Sequence, residues 1–208
     1  MIRGSTPAEA MATYRQVVET WPGTTPEGLE ARNRVVAQHT VDGNIKQARA
    51  DIDAILTAAP DNAEALLSRA TFSFLDRQYD AAIADLRTVL RREKSSEAAL
   101  LLARSYVGSG DLVVAKDTYR TLLDQDPGNA AAAKELAVLL SDEGDAAAAA
   151  EILRAFVAIK PDDAEASAAL VQSLLAQREL AAAEAEAKRG LESGAGGALG
   201  EQQLGQVL

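Results

Sequence analysis

Residues 96–129 read SEAALLLARSYVGSGDLVVAKDTYRTLLDQDPGN, and this stretch decides the fold. Ser96 can cap a helix, and Glu97 follows in the first turn, where a carboxylate meets the positive end of the helix dipole. Ala99, Leu102, Ala103 and Tyr106 recur at i, i+3, i+4 and i+7, the apolar stripe of one helical face. Gly110 stands where a left-handed residue ends a helix. A second helix carries Ala115, Tyr119, Leu122 and Leu123, and Pro127 stops it. Asn129 then offers a side-chain cap for whatever follows.

The same unit recurs on both sides. Ala48, Ala82, Ala115, Ala149 and Ala183 are spaced 34, 33, 34 and 34 residues apart. Val36, Ala70, Ala103, Ala137 and Val171 repeat with the same spacings of 34, 33, 34 and 34. Pro60, Pro127 and Pro161 keep that phase, as do Gly43, Gly110 and Gly144. Four series sharing one period mark a repeat architecture, in which each helix pair buries its apolar face only by stacking on its neighbours. The linkers Pro60-Asp61-Asn62 and Pro161-Asp162-Asp163 again supply a breaker followed by a cap.

A helix–turn–helix of 34 residues with small residues at its eighth and twentieth positions and Pro near its thirty-second resembles the tetratricopeptide repeat. In residues 96–129 the resemblance is carried by Leu102-Ala103, Tyr106, Gly110-Asp111, Ala115, Tyr119, Leu122 and Pro127. In 130–163 it is carried by Leu136-Ala137, Gly144-Asp145, Ala149, Leu153 and Pro161. In 29–62 the matching residues are Val35-Val36, Gly43-Asn44, Ala48, Ile52, Ile55 and Pro60. Residues 63–95 depart from the pattern: Arg69 stands for an apolar residue, Arg77 for the Gly and Lys94 for the Pro. Residues 164–197 keep Leu170, Leu174 and Ala183 but lose the Gly and the Pro. The resemblance implies an all-α fold, a right-handed α-solenoid of antiparallel helix pairs. The Ala-rich style also resembles bacterial arrays of envelope assembly and polysaccharide export.

The expected organisation is a single repeat domain over 1–208. A half repeat spans 6–22, opened by the capping-box residues Thr6-Pro7-Ala8-Glu9. Helix-pair repeats follow at 26–62, 63–95, 96–129, 130–163 and 164–197, the first starting early at Thr25-Pro26-Glu27. Residues 198–208 begin a further, truncated repeat with Leu204-Gly205 in phase. An array needs a polar cap on its last face, and Val207-Leu208 is a poor one, so further repeats or another chain are expected to cover that end.

Composition narrows the function. Lys plus Arg is 21 and Asp plus Glu 31, a formal charge of −10 that repels phosphate backbones, so no nucleic-acid partner is expected. The basic group Arg87, Arg91, Arg92 and Lys94 falls at a helix end, where cations complement the dipole. There is no Cys, hence no disulfide, thiolate metal site or Cys nucleophile. No apolar run approaches the roughly 20 residues that span a bilayer, so a soluble chain without membrane insertion is expected, with cytoplasm and periplasm both open.

The resemblance also implies a site. In tetratricopeptide arrays the first helices of each pair line a concave groove, through their second, fifth, sixth, ninth, twelfth and thirteenth positions. Mapped onto this chain, the middle of the groove receives Leu67, Thr71, Phe74, Leu75, Leu100, Leu101, Arg104 and Val107. One end receives Asn33, Arg34, Ala37 and Thr40; the other receives Lys134, Glu135, Val138, Ala168, Gln172 and Leu175. Leu67, Phe74, Leu100 and Leu101 are surplus to the core positions, which suggests an interaction surface for an amphipathic helix or extended apolar peptide, with Arg104 facing an acid on it. Slight helix rotation burying them between repeats is the other reading. The paired Lys and Asn with which some family members clamp a chaperone's C-terminal carboxylate are missing. Glu30, Glu64, Glu97 and Glu165, all at the second position, are read as first-turn acids favoured by the dipole.

No catalytic constellation emerges, and neither a cofactor nor a metal is expected. His39 is the sole His, which excludes a multi-His metal site, and it falls on an apolar face as a core or half-buried residue. Asp51/Asp53, Asp124/Asp126 and Asp162/Asp163 lack calcium-loop spacing. Gly194-Ala195-Gly196-Gly197 lacks the Lys and the strand of a phosphate loop, and Trp21 is read as packing beside Pro22. The expected function is a non-enzymatic protein–protein interaction scaffold holding a peptide or helical segment in an apolar concave groove. The alternative is a structural module acting by end-to-end stacking, with self-association through the array ends.

Overall fold

The computed structural model describes residues 7–20 and 25–192, together with Gly205. Among them helices follow one another without a strand, and the chain divides between Ser109 and Gly110 into two compact units. The first unit holds α1 (Pro7–Thr20), α2 (Pro26–Val41), α3 (Ile45–Ala58), α4 (Ala63–Leu75), α5 (Tyr79–Arg92) and α6 (Ser96–Ser109). The second holds α7 (Leu112–Gln125), α8 (Ala130–Asp142), α9 (Ala146–Ile159), α10 (Ala164–Ala176) and α11 (Leu180–Glu192). Within each unit every helix packs on the next, and alternate helices also meet, α4 on α6 in the first and α8 on α10 in the second. Thr6, Trp21, Pro22, Gly194–Gly197, Leu204, Val207 and Leu208 lie outside the described residues.

The repeat period is the period of the closest packing. Ala48, Ala82, Ala115, Ala149 and Ala183 are each 0 % exposed, because only a methyl group fits where two helix backbones approach. The series through Val36 and Ala70 is equally buried. A third series, Ala31, Ala65, Ala98, Ala132 and Ala166, is also buried and has the same spacing. Accordingly α6 turns Ala98 inward and leaves Ala99 half-buried, a correction to the stripe read from 96–129. The larger core side chains, Ile52, Ile55 and Leu86 in the first unit and Tyr119, Leu136, Leu153 and Phe156 in the second, fill the space between these contacts.

The helix ends follow the sequence closely. Asn62, Asn129 and Asp163 accept hydrogen bonds from the backbone N–H of Ala65, Ala132 and Ala166 at 2.9, 3.0 and 2.9 Å. Thr25 does the same for Gly28 at 3.1 Å, so α2 does start early. Two expectations fail. Ser95 rather than Ser96 caps α6, its hydroxyl accepting from the Ala98 N–H at 3.1 Å. Glu30 lies beyond the first turn of α2, whose first-turn acid is Glu27, because the early start displaces it. Each turn within a pair is closed by a left-handed residue: Gly43, Gly110 and Gly144 with φ of +74°, +90° and +84°, and Arg77 and Arg178 with φ of +60° and +62°. The two arginines occupy the positions where the repeats lost their Gly.

Candidate functional site

In the first unit the expected groove residues lie on α2, α4 and α6. Arg34 is exposed, with its guanidinium 4.0 Å from Glu30 one turn earlier. Thr71 is exposed, its hydroxyl donating to the Leu67 carbonyl at 2.9 Å. Leu67, Phe74, Leu100, Leu101, Arg104 and Val107 are half-buried. α4 and α6 are in contact, and Phe74 packs edge-on against Tyr79 with centroids 5.7 Å apart. Arg104 is not a free cation. The apolar side chains that stand most exposed on these helices are Val41 and Leu75, at 81 % and 67 %, both thirteenth-position residues. Asn33 does not face a groove: it is buried and its amide donates to Asn62 Oδ1 at 3.2 Å, tying α2 to the cap of α4.

In the second unit a cleft of about 540 Å³ opens between α8 and α10 over the start of α9. One wall is Lys134, Ala137, Val138, Ser141 and Asp142; the other is Glu165, Ala169, Gln172, Ser173 and Ala176. Most of these occupy the groove positions of the repeat. Val138 is 58 % exposed, an apolar side chain presented to the opening. Lys134 Nζ donates to Glu165 Oε2 at 2.7 Å and to Asp163 Oδ2 at 3.4 Å. The hydrogen bond to Glu165 holds its pKa above the ordinary lysine value of 10.5; burial opposes this, and the charge of Asp163 adds to it. Ser141, Asp142, Ala169 and Ala176 were not singled out from the sequence, although their sixth, twelfth and thirteenth positions carried the signal. Ala168 and Leu175 are half-buried and outside the cleft lining, and Glu135 accepts a hydrogen bond from the Tyr119 hydroxyl at 2.7 Å.

Several of the remaining candidates are engaged in the fold, whereas Asp53, Asp124 and Asp162 are exposed. His39 is half-buried, with Nδ1 2.8 Å from Asp51 Oδ2. The guanidinium of Arg87 lies 5.5 Å from the Tyr106 ring centroid, and Arg92 pairs with Asp61. Asp126 accepts from the Asn129 amide at 3.1 Å, and Asp163 caps α10. Among the described residues no three His, Cys, Asp or Glu side chains come together as a metal site, and no helix is long and apolar enough to cross a membrane.

Stacked helix pairs, with first-helix faces that carry exposed apolar side chains and a cleft, define an α-helical repeat scaffold. The chain belongs to the tetratricopeptide-repeat family, whose model matches residues 42–99, 76–130 and 100–164. This is a family of protein–protein interaction scaffolds. No curated protein sequence matches this one. Among solved structures it is similar to YrrB, described as a tetratricopeptide-repeat protein with an unusual peptide-binding site (13 % identity, 92 % of this chain and 97 % of that one, TM-score 0.70). It is also similar to the MamA protein (18 % identity, 89 % and 92 %, TM-score 0.66). A third is a tetratricopeptide-repeat protein from Parabacteroides merdae (16 % identity, 89 % and 73 %, TM-score 0.64). At these identities the likeness is one of fold.

Proposed function

We propose that this chain is a non-enzymatic scaffold that holds a peptide or helical segment of a partner protein against the first helices of its repeats. The observation that carries the reading is the cleft between α8 and α10, whose walls come mostly from residues at the groove positions and present Val138 to the opening. In the first unit the exposed Val41 and Leu75, and the half-buried Leu67, Phe74, Leu100 and Leu101, offer apolar surface on the corresponding helices. Apolar surface beside a few polar side chains suits a segment that contributes its own apolar side chains. YrrB, a protein of the same fold, is described as having a peptide-binding site.

The test is affinity capture from source lysate with wild type, Leu101→Glu and Val138→Glu, each checked for helicity by circular dichroism. A partner held by wild type and lost by a folded variant is expected. A partner held equally by all three, or none at all, overturns the groove reading.

A further inference from the structure

We infer, on the strength of that groove reading, that the cleft between α8 and α10 takes a segment in which a large apolar side chain stands beside a lysine or arginine. The apolar half of the inference comes from size. The walls and floor are mostly small residues, among them Ala137, Ala146, Ala169 and Ala176, and they enclose about 540 Å³ that the chain's own side chains leave unfilled. Such a space gains most contact from a bulky aromatic or aliphatic group, the usual anchor of a binding site.

The cationic half comes from charge. Lys134 is the one cation in the lining, and its ammonium is already shared by Glu165 and Asp163, two carboxylates to one positive charge. That end of the cleft is therefore net negative. At the other end Asp142 is exposed and has no hydrogen-bond or ion-pair partner among the described residues. It is the last residue of α8, where the helix dipole is already negative, and neither α8 nor α10 carries a basic residue in its last turn. Arg178, just past α10, is not in the lining. The start of α9 beneath that end is positive, but its Ala148 N–H is taken by the Asp145 carboxylate at 3.0 Å. A cation arriving at Asp142 therefore meets an unpaired carboxylate, the Asp145 cap and the negative ends of α8 and α10, whereas an acidic segment meets carboxylates at both ends of the cleft.

The experiment pans a random octapeptide phage library against the full 208-residue chain. Enriched peptides, and counterparts with Lys or Arg replaced by Glu, are then titrated by fluorescence anisotropy. The proteins are wild type, Ala169→Trp, which fills the cleft, Val138→Asn, which removes exposed apolar surface without changing charge, and Asp142→Asn. The expected result is enrichment of a bulky apolar residue next to Lys or Arg. Affinity should fall about five-fold or more in the two cleft variants and about two- to five-fold in Asp142→Asn. Peptides sensitive to Ala169→Trp and Val138→Asn but acidic, or indifferent to Asp142→Asn, overturn the charge inference while leaving the groove reading in place. Peptides indifferent to both cleft variants, or no enrichment, overturn both. If Ala169→Trp fails to fold, Val138→Asn decides alone, since its exposed position tolerates the change.

Discussion

The guanidinium of Arg69 donates two parallel hydrogen bonds to the carboxylate of Asp85, Nε to Oδ2 at 2.8 Å and Nη2 to Oδ1 at 2.7 Å. The other repeats place Val35, Leu102, Leu136 and Leu170 at the position of Arg69, all buried. Here a fork-on-carboxylate pair joins α4 to α5 instead. Asp85 is the deeper partner, its side chain 11 % exposed against 43 % for Arg69. That asymmetry decides which substitution matters. Arg69→Leu supplies the apolar residue of the pattern but strands a buried carboxylate, so it is expected to cost about 1–3 kcal/mol, less than a fully buried pair because water screens the Arg69 side. Arg69→Leu with Asp85→Leu removes both polar groups and should return to within about 1 kcal/mol of wild type. Urea unfolding followed by circular dichroism measures both; a double variant as weak as the single one contradicts the account.

Arg77 and Arg178 sit in the left-handed region, where a Cβ crowds the following carbonyl and Gly is at ease. Both are exposed, and among the described residues no hydrogen bond or ion pair of either side chain offsets the strain. Replacing either by Gly should therefore stabilise its own unit by about 0.5–1 kcal/mol, a little less than the strain relieved because Gly also frees the unfolded chain. Thermal melts of Arg77→Gly and Arg178→Gly check this. A fall in melting temperature for both contradicts the strain argument.

How much of this was legible in the sequence differs by level. The period, the helix pairs and most of the caps could be read because each rests on local chemistry: a small residue at a close contact, a breaker, a side-chain acceptor one turn from a free N–H. The departures at Arg69, Arg77 and Arg178 were visible as departures. That Arg69 finds Asp85 sixteen residues on, and that Arg77 and Arg178 accept a positive φ, belongs to the three-dimensional fold. The candidate surface was legible only in part. Position numbers named Lys134, Val138 and Gln172, but whether a leucine at such a position faces solvent depends on a rotation of the helix by tens of degrees. Here Leu67, Leu100 and Leu101 are half-buried while Val41 and Leu75 stand out.

The cap of α6 separates two adjacent serines. Ser95 Oγ accepts the Ala98 N–H, whereas Ser96 is the first helical residue and exposed. Ser95→Ala is expected to cost about 1 kcal/mol and Ser96→Ala within about 0.5 kcal/mol of nothing. Equilibrium unfolding of the two variants side by side decides the matter; the reverse order would place the cap where the sequence pattern first suggested it.

Lys134 gives a prediction whose sign is fixed by linkage. Its folded-state pKa is raised above the ordinary 10.5, first by the hydrogen bond to Glu165 and then by the charge of Asp163. A raised pKa means that the folded state binds the proton more tightly than the unfolded one. The stabilisation is therefore fully present below the unfolded value and disappears as pH rises through the folded value. Lys134→Met keeps the length of the side chain but removes the ammonium, leaving Glu165 exposed and Asp163 half-buried. At pH 7 the variant should be less stable by about 0.5–1 kcal/mol, the range for a partly exposed pair. The gap should stay level across neutral pH and close only on the alkaline side of 10.5. Denaturation of both proteins over that alkaline range, at matched ionic strength, tests the sign. A gap that widens as pH rises would mean that the ammonium is held less tightly in the fold than in water, and that Glu165 and Asp163 do not act on it as the geometry requires.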